Sequence, residues 1–349
     1  MKNRPSLRSL TAFRRAKDWR AAKVMTRPQL FSALITFTVY LHACASERTI
    51  FYPSGKLKIN AFIITPEKPS QYLSSGKYAV RDKQLAVDGY AAIDGYAATD
   101  KYPVVLFNHG GISGLNENSK RRCREISARG YVVFASSFRG EDQSEGEIEV
   151  ALGEVDDVLA GLHWLEHNAA IAHADLNRVG LVGFSHGALI SLQAAKRAHR
   201  FKALVFNYGV SDIYRWVHYL RATKQLGQDA LTMKIYGTGP QSRPDEYAAR
   251  YGLANLDRLE PSLQVLIMQG KLDKIVPPTQ AEALAKALNA QAIKTTVRYF
   301  PNATHGFLIR REALVGLEKQ QSDQAWREIY QFLAQTLKQT EQPASSNKL

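Results

Sequence analysis

A serine stands between two glycines in the segment GFSHG, residues 183–187. A short apolar run at 179–182 precedes this segment, and a stretch of small residues typical of a helix follows it. G-x-S-x-G at a strand-to-helix junction is typical of a nucleophile elbow, because glycines permit the strained serine backbone and the close approach of strand and helix. The alternative is an ordinary turn in which Ser185 only caps the helix.

A serine hydroxyl becomes a useful nucleophile only beside a base, and the base needs an acid to orient it. Asp273 follows the apolar run at 265–268, and His305 follows the run at 295–300. Both residues come at the carboxyl end of a predicted strand, where open α/β sheets place their sites. Either residue alone is equally typical of a turn or a structural contact. The order serine, aspartate, histidine predicts a catalytic triad with Ser185 as nucleophile, His305 as base and Asp273 as acid.

Acyl transfer also requires N–H donors for the oxyanion that forms when the serine attacks. One predicted donor is the backbone N–H of His186, the residue after the nucleophile. The second comes from the loop that begins NHGG, residues 108–111, where we expect Gly111 to donate, with Ile112 as the neighbouring alternative. We expect the His109 side chain to be structural, because His305 already supplies the base.

Alternating strand and helix patterns indicate the scaffold that positions these residues. A Pro-Ser-Gly turn joins two β-rich runs in a predicted hairpin at 47–68. Six predicted strands alternate with amphipathic helices further along, which predicts a mostly parallel sheet covered by helices on both faces. The predicted elements are strands at 104–107, 131–135, 179–182, 203–206, 265–268 and 295–300, helices at 119–129 and 147–167, and a closing helix with Trp326, Ile329, Tyr330, Leu333 and Leu337 on its apolar face.

Residues 211–261 interrupt this alternation with helix-like aromatic and charged segments and no clear strand. We expect a helical lid there. Its aromatic side chains Tyr214 and Trp216, together with Tyr208 just before it, predict a substrate pocket for an apolar or aromatic acyl group. Aromatic residues at such positions are more often part of the plain core.

The region 103–307 resembles the hydrolase domain shared by dienelactone hydrolases and the prolyl oligopeptidase family of serine peptidases. The segments that carry the resemblance are PVVLFNHGG, SFRGEDQSEGE, GEVDDVLAGLHWL, NRVGLVGFSHGA, GKLDKIVPP and THGF. The resemblance implies an α/β-hydrolase fold with the same three triad residues. It also implies structural roles for Arg139 and Asp157. The alternative is that both are solvated charges on the surface.

The substrate stays open at this level, because the chain departs from both groups. Dienelactone hydrolases use a cysteine nucleophile, and the tyrosine that supplies an oxyanion hydroxyl in the peptidases has no counterpart in NHGGISG. We expect a serine hydrolase that favours small carboxylic esters. The alternatives are a peptidase for short peptides and, in another class, a non-catalytic binding protein on a hydrolase scaffold.

The net charge of +14 is concentrated at the start of the chain. Residues 1–27 carry nine Lys and Arg but one acidic residue, which leaves +6 over the rest. Such a mild, spread surplus is typical of a solvated surface, so we expect no nucleic-acid partner. The predicted units are a basic extension and signal peptide at 1–45, a hydrolase domain at 46–340 and a disordered tail at 341–349.

An apolar run of about fifteen residues between 30 and 46 is short for a membrane span and typical of a secretory signal. We therefore expect an exported protein, periplasmic or extracellular. Two processing alternatives overlap: cleavage after Ala-Cys-Ala, or lipidation of Cys44 that would anchor the protein to a membrane. An uncleaved anchor helix is a third. Met25 is an alternative start that gives a signal of more usual length.

The two cysteines, Cys44 and Cys123, and the nine histidines show no metal-ligand spacing. We therefore expect no bound metal and no disulfide framework. No cofactor is expected either, because the predicted side chains are sufficient for acyl transfer. The expected partner is a small ester or a short peptide, with membrane contact only through the signal or a lipid anchor.

Overall fold

The protein is described by a computed structural model. The described residues are 46–66, 101–227, 230–310 and 313–338. The predicted signal segment at 1–45, including Cys44, and the predicted tail at 341–349 lie outside them. No helix within the described ranges is long and apolar enough to cross a membrane.

Strands and helices alternate along most of the described chain. The strands are β1 (Ser46–Ser54), β2 (Leu57–Thr65), β3 (Tyr102–Asn108), β4 (Val132–Ser137), β5 (Ala174–Phe184), β6 (Phe201–Asn207), β7 (Gln264–Gly270) and β8 (Lys294–Phe300). The helices are α1 (Glu117–Ser127), α2 (Gly153–His167), α3 (Ala169–Ala172), α4 (His186–Arg197), α5 (Ile213–Ala222), α6 (Ala230–Tyr236), α7 (Pro244–Ala249), α8 (Thr279–Ala290) and α9 (Gly316–Leu337), with a 3-10 turn at Leu256–Arg258.

The strands form one sheet in the order β1-β2-β4-β3-β5-β6-β7-β8. The β1–β2 hairpin is antiparallel and joins β4 in antiparallel register, whereas every neighbouring pair from β4 to β8 is parallel. The predicted hairpin and the predicted mostly parallel sheet are therefore confirmed. The carboxyl ends of β5, β7 and β8 lie along one edge of this sheet.

Helices cover both faces of the sheet, as the continuous apolar strands predict. Val104 and Leu106 of β3 point into a core shared with α2, α4 and α8. Val105 and Phe107 point into the opposite core, which α1 and α9 close. Because each such side chain is fully buried, it stabilises the fold by about 1.5–3 kcal/mol relative to an exposed position.

Helix α2 begins at Gly153, six residues after the predicted start of this helix at residue 147. The buried Glu154 carboxylate explains the difference, because it accepts the N–H groups of Glu149 (2.8 Å), Val150 (2.9 Å) and Leu152 (3.1 Å). Val150 also has a positive φ of 57°. Residues 147–152 are thereby held as a loop, although their composition suits a helix.

The insertion between β6 and β7 contains α5, α6, α7 and the 3-10 turn, and its described residues form no strand. The segment 211–261, which the sequence predicts as a helical insertion, thus contains these helices and the 3-10 turn. These elements share a small apolar core of their own, with Ile213, Val217 and Tyr236 among its buried members. Val276, from the loop after β7, belongs to the same core and joins the insertion to the sheet edge.

Candidate active site

Ser185 lies at the sharp turn between β5 and α4. Its backbone has φ 52° and ψ −114°, a conformation that is strained for a residue with a side chain. The neighbouring strand β6 holds the turn, since the Ser185 N–H donates to the Asn207 carbonyl (2.9 Å) and the Asn207 side-chain amide donates to the Gly183 carbonyl (2.9 Å). These contacts with β6 therefore hold Ser185 in its strained conformation, as a nucleophile elbow requires.

Both glycines of the motif are needed for close backbone approach. A Cβ at Gly187 would lie 2.2 Å from the Asn108 carbonyl oxygen, and one at Gly183 would lie 2.4 Å from the Gly187 carbonyl oxygen. Neither position has room for an added carbon. This contact between the β5–α4 turn and the end of β3 brings the predicted oxyanion loop to the serine.

Asp273 follows β7 and is almost completely buried, with 4% of its surface exposed. Its Oδ1 atom accepts the N–H groups of Ile275 (2.9 Å) and Val276 (2.8 Å). These bonds fix the carboxylate and leave Oδ2 directed at His305.

His305 follows β8 and links the two other residues. Its Nδ1 lies 2.8 Å from Asp273 Oδ2, and its Nε2 lies 3.0 Å from Ser185 Oγ. Because a carboxylate can only accept, Nδ1 carries the ring proton, which leaves the Nε2 lone pair facing the serine hydroxyl. The structure thus brings together the three residues that the sequence predicts as a triad, in the geometry that acyl transfer requires.

The loop that carries His305 has supports of its own. The Thr304 N–H donates to Glu318 Oε1 (2.8 Å), and Arg310 donates to the Thr304 hydroxyl (2.8 Å) and to the His305 carbonyl. The ring of Tyr208 packs edge-on against the imidazole, with centroids 5.0 Å apart.

The predicted oxyanion donors His186 and Ile112 line the same cavity as Ser185. His186 begins α4, and its Nδ1–H donates to the Gly111 carbonyl (3.0 Å). A Cβ at Gly110 would lie 3.2 Å from the Ser185 Cβ, so the tip of this loop contacts the nucleophile. Burial lowers the pKa of the His186 imidazole, and the ring is therefore neutral near pH 7. The donor roles of the His186, Gly111 and Ile112 N–H groups stay predictions.

Three charged or titratable residues have the structural positions expected of them. His109 is buried, stacks on Phe138 at 4.6 Å and places Nε2 3.0 Å from Glu141 Oε2. The guanidinium of Arg139 binds the fully buried Asp157 carboxylate, with an Nη2–Oδ1 distance of 2.9 Å. The structural roles implied for Arg139 and Asp157 are therefore confirmed, and they are not solvated surface charges.

An apolar cavity of about 260 Å³ opens beside Ser185. It is lined by Ile112, Val150, Ser185, His186, Leu189, Val210, Ile213, Trp216, Thr232, Tyr236, Ile275 and Val276. Trp216 lines it as predicted, and its indole N–H donates to the Ile275 carbonyl (2.8 Å), which fixes the ring.

The predictions that Tyr208 and Tyr214 line the pocket are wrong. Tyr208 is buried, and its ring packs against Phe184 and Phe307 as well as His305. Tyr214 is two positions before Trp216 on α5, so it lies on another face of that helix. There it is 38% exposed and packs on other tyrosines of the insertion.

Several wall residues were missed by the sequence reasoning. Val210 and Ile275 follow the ends of β6 and β7, so the strand-end rule that found the triad could also have found them. Tyr236 and Val150 gave no such signal, because their approach to the cavity depends on how α6 and the loop before α2 pack.

Comparison with known proteins identifies the family. Residues 119–340, more than half of the chain, match the sequence profile of the Prolyl oligopeptidase family. The chain belongs to this family. It is therefore a serine hydrolase with an α/β-hydrolase fold, as the resemblance in its sequence implies.

Two bacterial relatives from Bacillus subtilis differ in length. The chain is 23% identical to "Uncharacterized peptidase YtmA" over 262 residues, which cover 74% of this chain and 86% of the relative. It is 28% identical to "Uncharacterized peptidase YuxL" over 222 residues, which cover 58% of this chain but 31% of that protein.

Solved structures show the same fold at low sequence identity. An acylaminoacyl peptidase from Pyrococcus horikoshii superposes with a TM-score of 0.63 at 18% identity, covering 85% of this chain and 42% of that one. The esterase Pf2001 from Pyrococcus furiosus superposes with a TM-score of 0.57 at 15% identity, covering 84% and 92%. This prolyl oligopeptidase family member thus spans most of the length of YtmA and of the esterase Pf2001. It spans less than half of the length of YuxL and of the acylaminoacyl peptidase.

Proposed function

We propose that this protein is a serine peptidase that cleaves short peptides after a large apolar residue, through an acyl-enzyme on Ser185. The observation that carries the proposal is the line of hydrogen bonds from Asp273 through His305 to Ser185, beside an apolar cavity. The family and its peptidase relatives favour the peptide alternative over the small esters expected from the sequence.

The geometry supports a two-step acyl transfer. His305 Nε2 takes the hydroxyl proton as Ser185 Oγ attacks the carbonyl carbon, and the same proton then passes to the leaving amine. Asp273 holds the ring in the required tautomer and stabilises the imidazolium. The N–H of His186 and that of Gly111 or Ile112 stabilise the oxyanion. Water, activated by His305, then releases the acyl group from the serine.

The cavity supports the choice of side chain. None of its described lining residues is Asp, Glu, Lys or Arg, and His186 is neutral because burial lowers its pKa. An aromatic or branched aliphatic side chain would gain about 25 cal/mol for each Å² of apolar surface it buries there. A charged side chain would lose its hydration without an ionic partner. We therefore propose Phe, Tyr, Leu or Met on the acyl side of the cleaved bond.

The basic start and the short apolar run at 1–45 support a further proposal, that the protein acts outside the cytoplasm. Cell fractionation together with N-terminal analysis of the mature protein tests it. A mature chain that begins near residue 45, or a lipid on Cys44, would support export. A cytoplasmic chain that keeps residues 1–45 would contradict it.

The first experiment combines active-serine labelling with a substrate panel. We expect a fluorophosphonate to label the wild type stoichiometrically and to leave Ser185→Ala unlabelled. We also expect blocked Phe and Leu amides to be cleaved at least tenfold faster, by kcat/KM, than matched Glu and Lys amides. Circular dichroism of Ser185→Ala controls for its fold.

Other outcomes would point elsewhere. Cleavage of Phe and Leu esters without any cleavage of the matching amides would replace the peptidase by an esterase. A folded wild type that is neither labelled nor active on the panel would contradict the proposed hydrolysis and favour the binding-protein alternative.

A further inference from the structure

The loop after β4 lies against the oxyanion loop and contacts it at both ends. We define the oxyanion loop as residues 109–115, which follow β3, and the clamp loop as residues 138–146, which follow β4. The oxyanion loop carries Gly110 beside the Ser185 Cβ and Ile112 in the wall of the cavity. Gly111 and Ile112 are exposed, so burial of the loop tip does not fix its position.

Glu141 and Phe138 of the clamp loop pack against His109 at the start of the oxyanion loop. The Glu141 Oε2 atom lies 3.0 Å from His109 Nε2, and the two side chains are 2% and 1% exposed. Phe138, the first residue of the clamp loop, stacks on the His109 ring. Because the two atoms do not meet in hydrogen-bond geometry, close packing and the stacked Phe138 ring hold the His109 side chain in place.

Asp142 holds the end of the oxyanion loop. Its Oδ2 accepts the Leu115 N–H at 2.6 Å and the Ser137 hydroxyl at 2.8 Å. Gly114 makes this approach possible, because a Cβ there would lie 2.2 Å from the same carboxylate oxygen. The backbone of Asp142 has a positive φ of 41°, which the surrounding bonds maintain.

A third contact holds the middle of the loop. The His186 ring donates to the Gly111 carbonyl at 3.0 Å, and that carbonyl belongs to the peptide unit whose N–H is contributed by Ile112. The loop is thus fixed at its start, its middle and its end, although its tip is exposed. Two of the three contacts come from adjacent acidic residues that do not themselves reach the nucleophile.

We propose that Glu141 and Asp142 are positioning residues that aim the oxyanion-loop N–H groups at the developing oxyanion. The inference rests on the proposed function, since it concerns the same acyl transfer. Pre-oriented donors stabilise the transition state because they need no reorganisation during the reaction, and a misplacement of about 1 Å can cost about 10²-fold in rate. Loss of either carboxylate would therefore lower kcat more than it raises KM.

The test uses the isosteric variants Glu141→Gln and Asp142→Asn in the full chain. We expect each to lower kcat on a blocked Phe amide about 10- to 100-fold and to change KM less than threefold. A peptidyl trifluoromethyl ketone, which forms a tetrahedral adduct on the serine, should lose affinity by the same factor as kcat/KM. An analogue of the Phe amide that lacks the scissile carbonyl group, and so forms no oxyanion, should bind with unchanged affinity.

Glu145→Gln is the matched control. Glu145 belongs to the same clamp loop, and its carboxylate also accepts a backbone N–H, that of Lys58 in the hairpin, at 2.8 Å. This control removes one negative charge and weakens one such bond without touching the oxyanion loop. We expect it to lower the melting temperature as much as Asp142→Asn does, and to leave kcat within twofold of the wild type.

Three results would overturn the inference. The first is that both test variants keep the kcat of the wild type. The second is that kcat falls as far in Glu145→Gln as in the test variants. The third is that kcat falls in the test variants without the matching loss of ketone affinity. Because Glu141 is buried, its variant carries the risk of misfolding, and the exposed Asp142→Asn then decides alone. A wild type that is unlabelled and inactive would refute the proposed function instead, so the two failures are distinguishable.

Discussion

The nucleophile elbow and the helical insertion meet at the same cavity but are held in different ways. The elbow is fixed largely by backbone contacts of the sheet, with the Ser185 N–H on the Asn207 carbonyl and no room for a Cβ at Gly187. The insertion is joined to the sheet edge largely through side chains, such as Trp216 on the Ile275 carbonyl and Tyr219 on the Lys274 carbonyl, both at 2.8 Å.

Because of this difference, we expect the elbow to serve the proposed chemistry and the insertion to set the proposed substrate choice. Backbone contacts do not depend on residue type, so the elbow keeps its geometry as long as the sheet, its glycines and the Asn207 amide persist. Side-chain contacts change with each substitution, so the insertion can alter the cavity without moving Ser185. Changes at the elbow should therefore affect kcat or folding, and changes in the insertion should affect selectivity.

The largest expected effect comes from the triad. Asp273→Asn should lower kcat about 10⁴-fold, because the amide can present an N–H to His305 and favour the wrong tautomer. Steady-state kinetics on the Phe amide measure it. Asp212→Asn is the matched control in the insertion, where Asp212 accepts the Arg215 N–H at 3.0 Å and caps α5. The control should weaken that cap by less than about 1 kcal/mol and keep kcat within a few-fold. Equal losses of kcat in Asp273→Asn and Asp212→Asn would contradict the distinction between the catalytic residues and the insertion.

The second effect tests the backbone contacts of the elbow. Gly187→Ala should unfold the elbow or lower the melting temperature by more than about 5 °C, because the new Cβ would meet the rigid Asn108 carbonyl at 2.2 Å. Gly180→Ala, in the same strand, is the control, since its nearest neighbour is the flexible end of Leu337 at 3.0 Å. We expect the control to keep wild-type kcat. Thermal unfolding would contradict this account if Gly187→Ala were the more stable of the two.

The third effect concerns the cavity wall. Trp216→Ala should raise KM for the Phe amide about tenfold, because it removes apolar contact area, and should leave kcat on a small acetyl ester within threefold. Tyr214→Ala, on the same helix but outside the cavity, should change neither value. A selectivity change in Tyr214→Ala, or none in Trp216→Ala, would show that the cavity does not receive the side chain.

The smallest effect concerns a tether between the two regions. Lys196 of α4 donates to the Gly252 (3.1 Å) and Ala254 (2.9 Å) carbonyls of the insertion. Burial lowers the pKa of Lys196 from 10.5 to about 8. The unfolded chain therefore binds more protons between pH 8 and 10.5, and the contribution of Lys196 to stability rises with pH across that window.

Urea unfolding of the wild type and Lys196→Met at pH 7.5 and pH 9.5 measures this contribution. We expect the free energy of unfolding of the wild type to rise relative to that of the variant between the two values. The comparison with the variant is needed because burial also lowers the pKa of Lys338 to about 8. A constant difference between the proteins would mean that Lys196 titrates as an exposed amine.

Much of the scaffold was predictable because its signals are local. The apolar runs at 104–107 and 265–268 lie within β3 and β7, since a strand buried on both faces needs an unbroken apolar sequence. Errors arose where a distant or side-chain contact outweighed local preference. Residues 147–152 have a helical composition but form a loop, because the Glu154 carboxylate takes up their N–H groups.

Local sequence patterns alone specify the order of the three triad residues, their places at strand ends and the need for small residues around Ser185. These follow from short unbroken apolar runs and from backbone sterics, which depend on near neighbours along the chain. Long-range packing determines that Trp216 lines the cavity while Tyr208 packs behind His305. It alone also placed the Asp142 carboxylate on the Leu115 N–H. Such choices depend on contacts between segments far apart in the chain, such as that of Trp216 with Ile275, and no local pattern encodes which face of a helix or loop will meet them.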